Sequence, residues 1–101
     1  MEITELQRII RDTYGRQDRQ RGIDGTFAWF VEEVGELSRA IRREGHDARV
    51  IEFSDVLAWL VTMADLCDVD LDAAARERYG SGCPKCHAMP CTCADADPTR
   101  P

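Results

Sequence analysis

Four carboxylates set the chemical question in this chain. Glu33 and Glu36 stand three apart in "EEVGE", and Glu52 and Asp55 stand three apart in "EFSD". On a helix, residues three apart occupy one edge on adjacent turns, about 60° apart around the axis. Each pair borders an apolar stripe, with Phe30, Val34 and Leu37 beside the first and Phe53, Val56 and Leu60 beside the second. A short connection between two such helices makes them antiparallel neighbours, so the acidic edges can meet. Glu32, four before Glu36, joins from the flank. Carboxylates gathered without a counter-charge disfavour one another's ionisation. A hard divalent cation removes that penalty: Mg²⁺, with Mn²⁺ as its substitute, takes oxygen ligands and binds through carboxylates plus substrate phosphates. A single Glu-x-x-Glu most often marks a solvated face, and pairing on two neighbouring helices is what favours a metal. The competing explanation is neutralisation by Arg39, Arg42 and Arg43.

A second constellation lies near the carboxyl end. "CPKCHAMPCTC" spaces Cys83, Cys86, Cys91 and Cys93 as C-x2-C-x4-C-x-C. In a chain expected to be cytoplasmic, four thiols this close point to a metal more than to disulfides. Zn²⁺ takes four thiolates tetrahedrally, and a site with no open position is structural. A redox-active or oxidised tail is the alternative. His87 is an alternate ligand, whereas Cys67 falls on an apolar stripe and reads as a core residue.

These groups must be held by helices. Ile3, Leu6, Ile9 and Ile10 give a first helix over residues 3–14, and the polar "GRQDRQRGIDG" reads as a loop or frayed end. Asp24 or Thr26 then caps a second helix carrying Phe27, Phe30, Val34, Leu37 and Ile41, closed near Gly45. A third helix spans roughly residues 48–67 and is apolar around much of its circumference, which in so small a chain favours burial against another subunit. Asp70 caps a short fourth helix, "LDAAARERY", stopped by Gly80. The expected organisation is an all-α antiparallel bundle in residues 1–80 with an irregular cysteine-rich tail in residues 81–101.

The bulk numbers restrict the possibilities further. At 101 residues, 44% hydrophobic and 32% charged, this is an ordinary globular composition. No apolar run approaches the roughly 20 residues of a membrane span. The net charge of −6 argues against binding a nucleic-acid polymer. Residues 1–50 hold nine basic against ten acidic residues, and residues 51–101 hold four against nine. An anionic ligand would therefore be drawn in by cations or by the arginines at 16, 19 and 21. A cytoplasmic location is the expectation.

The paired motif resembles the E-E-x-x-E … E-x-x-D signature of the MazG-like all-α nucleotide pyrophosphohydrolases, and "FVEEVGELSRAI" and "DVLAWLVTMADLCDVDLDAA" are similar to the halves of that family's helical hairpin. The likeness covers roughly residues 26–79. It implies Mg²⁺-dependent hydrolysis of a nucleoside triphosphate to monophosphate and pyrophosphate by a homodimer or homotetramer, and house-cleaning of non-standard nucleotides is the expected role. Glu33, Glu36, Glu52 and Asp55 would be the metal ligands, with Glu33 and Glu32 at the reacting water. Trp59, Trp29 and Arg21 are the candidate substrate contacts. Where relatives carry a Lys/Asn segment that touches substrate, this chain has "RERYGSG", leaving Arg76, Arg78 or Tyr79 for that task. Some short relatives are similar in ending with a cysteine knuckle. The reading from a different class is a non-catalytic helical dimer whose zinc knuckle serves as a protein-interaction adaptor.

Overall fold

The computed structural model describes residues 1–93. The part of the expected tail after residue 93 lies outside them. Among the described residues the chain is helical without strands: α1 runs Ile3–Arg43, α2 His46–Leu66 and α3 Leu71–Tyr79. None of these helices is long and apolar enough to cross a membrane. The chain divides into two units between Leu71 and Asp72.

Three elements stand where the hydrophobic rhythm predicts four. The stretch expected to be a loop is helical, and α1 departs from helical geometry internally at Gly22, with φ 80° and ψ 175°. This combination is essentially restricted to glycine. The polarity of residues 15–25 was misleading because its polar groups find partners inside the fold. Asp18, only 5% exposed, accepts from Arg21 through Oδ1 at 3.1 Å and from the Thr62 hydroxyl through Oδ2 at 3.4 Å. Buried polar groups with partners belong in a helix as readily as apolar ones do.

In the first unit α1 and α2 run antiparallel, fastened at both ends. At one end Arg49 of α2 donates from Nε to the carbonyl of Ala40 at 3.1 Å and from Nη2 to that of Ile41 at 2.8 Å. These are carbonyls of the last turn of α1, and Arg49 adds to the bond that the Ala40 carbonyl already accepts from the Glu44 N–H at 3.1 Å. At the other end Arg11 pairs with Asp65 at 2.7 Å. The Gln7 amide donates to the Val69 carbonyl at 2.8 Å and accepts from the Leu71 N–H at 3.1 Å, tying down the turn after α2. That turn is a Schellman closure: Val69 N–H reaches the Ala64 carbonyl and Asp68 N–H that of Asp65, with Asp68 itself at φ 58°.

The connection between α1 and α2 is only Glu44 and Gly45, the shortness that antiparallel packing needs. Apolar burial within one chain is slight. Ala40, Val61 and Ala64 are the buried hydrophobics among the described residues, while Phe27, Val31, Ile51 and Phe53 each remain more than half exposed. Cys67, expected in the core, is exposed, because it caps the end of α2 where the helix stops covering it.

Candidate functional site

The α1–α2 seam can be followed rung by rung. Next to the Ala40–Arg49 contact come Glu36 and Glu52, then Glu33 and Asp55, then Trp29 and Trp59. Antiparallel helices offset by three or four residues per rung bring these positions opposite one another. Carboxylate oxygens of Glu33, Glu36 and Glu52 all lie within 4.8 Å of one another, and all three side chains are half-buried. Asp55 stands just outside that trio but acts on both Glu33 and Glu52 through its charge. Glu32 is exposed and outside the trio.

Electrostatically the trio is under-neutralised. Burial pushes the Glu33 carboxyl above its ordinary range, and the charges of Glu36, Asp55 and Glu52 push it further. Glu52 is raised in the same way, by burial first and then by Glu36, Asp55 and Glu44. Glu33 Oε2 and Glu52 Oε2 are buried and accept no hydrogen bond. Among the described residues no ion pair joins an arginine to any of the four acids, so Arg39, Arg42 and Arg43 do not neutralise them. Buried carboxylate oxygens without donors, facing a third carboxylate, form a donor set suited to a hard cation.

One turn beyond lies a cavity of about 300 Å³, walled by Asp55, Trp59, Arg21, Asp18, Thr62 and Tyr14. That volume is at the lower end for small-molecule sites. Asp55 borders both the cavity and the acidic trio. Trp59 stacks on Trp29 with ring centroids 6.3 Å apart and planes inclined by 16°. The Arg21 guanidinium lies 4.7 Å from the Trp59 ring centroid, a cation–π contact. Arg21 is also fixed through Nη1, which donates to Asp18 and to the buried Thr26 hydroxyl, each at 3.1 Å. Gly25 leaves room for this side chain, since a methyl there would meet Arg21 Cγ at 2.8 Å. Of the three arginines between residues 16 and 21, Arg21 alone lines the cavity.

Sequence reasoning passed over Asp18 and Thr62. Asp18 lay in a stretch read as loop, and Thr62 was one hydroxyl on an apolar helix. That hydroxyl, isolated among Leu60, Val61 and Met63, was the available signal.

In the second unit the four cysteines of the tail converge, their sulfurs all within 4.8 Å of one another. The Thr92 N–H holds the Cys86 thiol down to about 5, while hydrogen bonding to the Cys91 sulfur and its neighbours pushes Cys93 up to about 12.

A family model described as the MazG nucleotide pyrophosphohydrolase domain matches residues 21–86. Among curated proteins nothing matches the chain.

Proposed function

Because the chain belongs to the MazG nucleotide pyrophosphohydrolase family, we propose that it hydrolyses nucleoside triphosphates to monophosphate and pyrophosphate with Mg²⁺ or Mn²⁺. The observation that carries this reading is the pair of buried, unpartnered oxygens on Glu33 and Glu52 beside Glu36. A solvated acidic face would leave those atoms in water, and an adaptor has no use for keeping them dry and unpaired.

Glu33, Glu36 and Glu52, with Asp55 at their margin, would hold the cation. When bound, it supplies charge neutralisation at the phosphates and a lowered water pKa. The chain's own groups do the rest. Glu33, whose carboxyl is raised by burial and by the neighbouring acids, accepts a proton from the attacking water. Glu32, exposed on the same turn, orients that water or assists a second ion. Arg21 has five N–H donors, and those on Nε and Nη2 lie beyond its contacts to Asp18 and Thr26. They meet phosphate oxygens, where positive charge contributes most to phosphoryl transfer. Trp59, steadied by Trp29, offers a face on which a base stacks. House-cleaning of non-standard nucleotides is the role proposed for this activity.

The working form is a homodimer or homotetramer. Exposed Phe27, Val31, Ile51 and Phe53 on the two packed helices are what a second subunit would cover. The location is cytoplasmic in this reading.

The test is a panel of ribo-, deoxyribo- and modified nucleoside triphosphates with Mg²⁺, scored separately for pyrophosphate and orthophosphate. Pyrophosphate from at least one nucleotide, abolished by chelation, is expected. Folded protein releasing neither product from any nucleotide would refute the proposal.

A further inference from the structure

Four sulfurs of the second unit are gathered closely enough to share one ion. Cys83 and Cys93 Sγ are 3.7 Å apart, Cys86 and Cys91 Sγ are 3.9 Å apart, and no pair in the group exceeds 4.8 Å. A disulfide needs sulfurs at about 2.05 Å, so these are four separate thiols. A tetrahedron of sulfurs at about 2.3 Å from a central Zn²⁺ has edges of about 3.8 Å, which matches both short separations.

The backbone is arranged to support thiolates. Lys85 N–H donates to Cys83 Sγ at 3.4 Å, Thr92 N–H to Cys86 Sγ at 3.3 Å, and Cys93 N–H to Cys91 Sγ at 3.5 Å. Such donors disperse the negative charge of metal-bound sulfur and fix its direction. The turn that presents the first two sulfurs closes on itself: His87 N–H reaches the Cys83 carbonyl at 2.7 Å, and Cys83 N–H reaches that of Ala88 at 3.1 Å. His87 sits at φ 58°, reversing the chain immediately after Cys86. Its ring is outside the four-sulfur group, so the ligand set is sulfur alone.

No apolar core accounts for this arrangement. Cys91 is exposed, the other three cysteines are half-buried, and the neighbouring Met89 is 83% exposed. A segment this short and this poorly covered does not fold by burial, and a structural metal is the usual substitute.

We propose that Cys83, Cys86, Cys91 and Cys93 bind one Zn²⁺ in a closed, structural tetrathiolate site that folds residues 83–93. The site is separate from the carboxylates of the first unit and prefers a soft-ligand metal where they prefer a hard one. It has no position left for substrate, so its work is architectural.

Lys85, inside the proposed loop, is the chain's one lysine, which makes a clean probe of that fold. The full-length chain, expressed in zinc-supplemented medium and freed of any tag, is assayed for metal and then treated with a lysine-specific endoproteinase. About one zinc per chain is expected. Cleavage after Lys85 is expected to be at least about tenfold slower than after zinc is stripped with a chelator under reducing conditions. Cys83→Ser with Cys93→Ser removes the zinc, whereas Glu36→Gln retains all of it. A metal-free wild-type chain titrated with Co²⁺ develops the absorption of tetrahedral thiolate coordination, a readout that requires no variant to fold. Zinc on fewer than about half the chains together with no Co²⁺ spectrum overturns the site. Zinc that survives loss of both cysteines overturns it too, and iron found in place of zinc overturns the identity of the ion.

Discussion

Replacing Gly22 by alanine tests how the two parts of α1 are joined. At φ 80° and ψ 175° the residue occupies a region closed to side-chain-bearing residues, at a cost of about 1–3 kcal/mol. No atom lies within 4 Å of the position a Cβ would take, so the penalty is conformational and contains no clash. The alanine also restricts the unfolded chain, which returns about 0.4–1 kcal/mol. The net destabilisation is about 1–2 kcal/mol, a fall in Tm of roughly 5–15 °C for a domain of this size. Gly35 supplies the opposite control. It lies in regular helix with nothing within 4 Å, so Gly35→Ala is expected to stabilise by about 0.5–1 kcal/mol. Both are measured by thermal unfolding followed by circular dichroism at one protomer concentration, since assembly would otherwise shift Tm. The break also serves the site. Residues five apart do not face each other on an unbroken helix, yet Arg21 bonds Thr26 across Gly22. Gly22→Ala should therefore raise KM for nucleotide as well as lower Tm. A Gly22→Ala protein as stable as Gly35→Ala would refute the reasoning, because it would mean that α1 runs straight through residue 22.

Other expectations concern the acids and the cavity. In metal-free protein the raised carboxyls of Glu33 and Glu52 bind protons more tightly folded than unfolded. The stability this confers is complete below the ordinary value of 4.5 and is lost as pH rises through their elevated values, so Tm in chelator should fall over that interval more for wild type than for Glu36→Gln. Mg²⁺ should raise Tm above that interval and have little effect below it, and a Mg²⁺ increment independent of pH would count against the shared site. Glu36→Gln should reduce pyrophosphate release at least about a hundredfold while leaving metal-free Tm unchanged or higher, because it removes the charge between Glu33 and Glu52. Trp59→Ala should raise KM by about 5- to 100-fold with Trp59→Phe retaining most of the affinity, as for a base stacked on an aromatic face. Arg21→Lys should not restore an Arg21→Ala defect, since an ammonium cannot hold Asp18 and Thr26 in the same plane while facing the Trp59 ring.

The residues of the hairpin were readable because helical periodicity is local. Spacing of three and four put Glu33 with Glu36 and Glu52 with Asp55, the two-residue link made the helices antiparallel, and α3 began and ended at the residues its turn signals indicated. The region before the hairpin was misread for a physical reason. Asp18 and Arg21 carry loop-like polarity, and only their partners in space, Thr62 and Thr26 among them, make that polarity compatible with a helix. Exposure of Cys67 was likewise hidden, since an apolar stripe reports which residues share a face and not where the covering element stops.

By itself, the order of residues determined an all-helical chain, the pairing of acids along two helix edges and the grouping of four thiols, because each depends on neighbours a few positions away. The tertiary structure decided which acids come within reach of one cation, with Asp55 left at the margin, and it placed Trp29 on Trp59 and Arg21 above both the cavity and its buried anchors. Those contacts join Glu36 to Glu52 across 16 positions, Trp29 to Trp59 across 30 and Arg21 to Trp59 across 38. Their geometry is set by the offset between α1 and α2 and by a single non-helical glycine, quantities that no local pattern encodes.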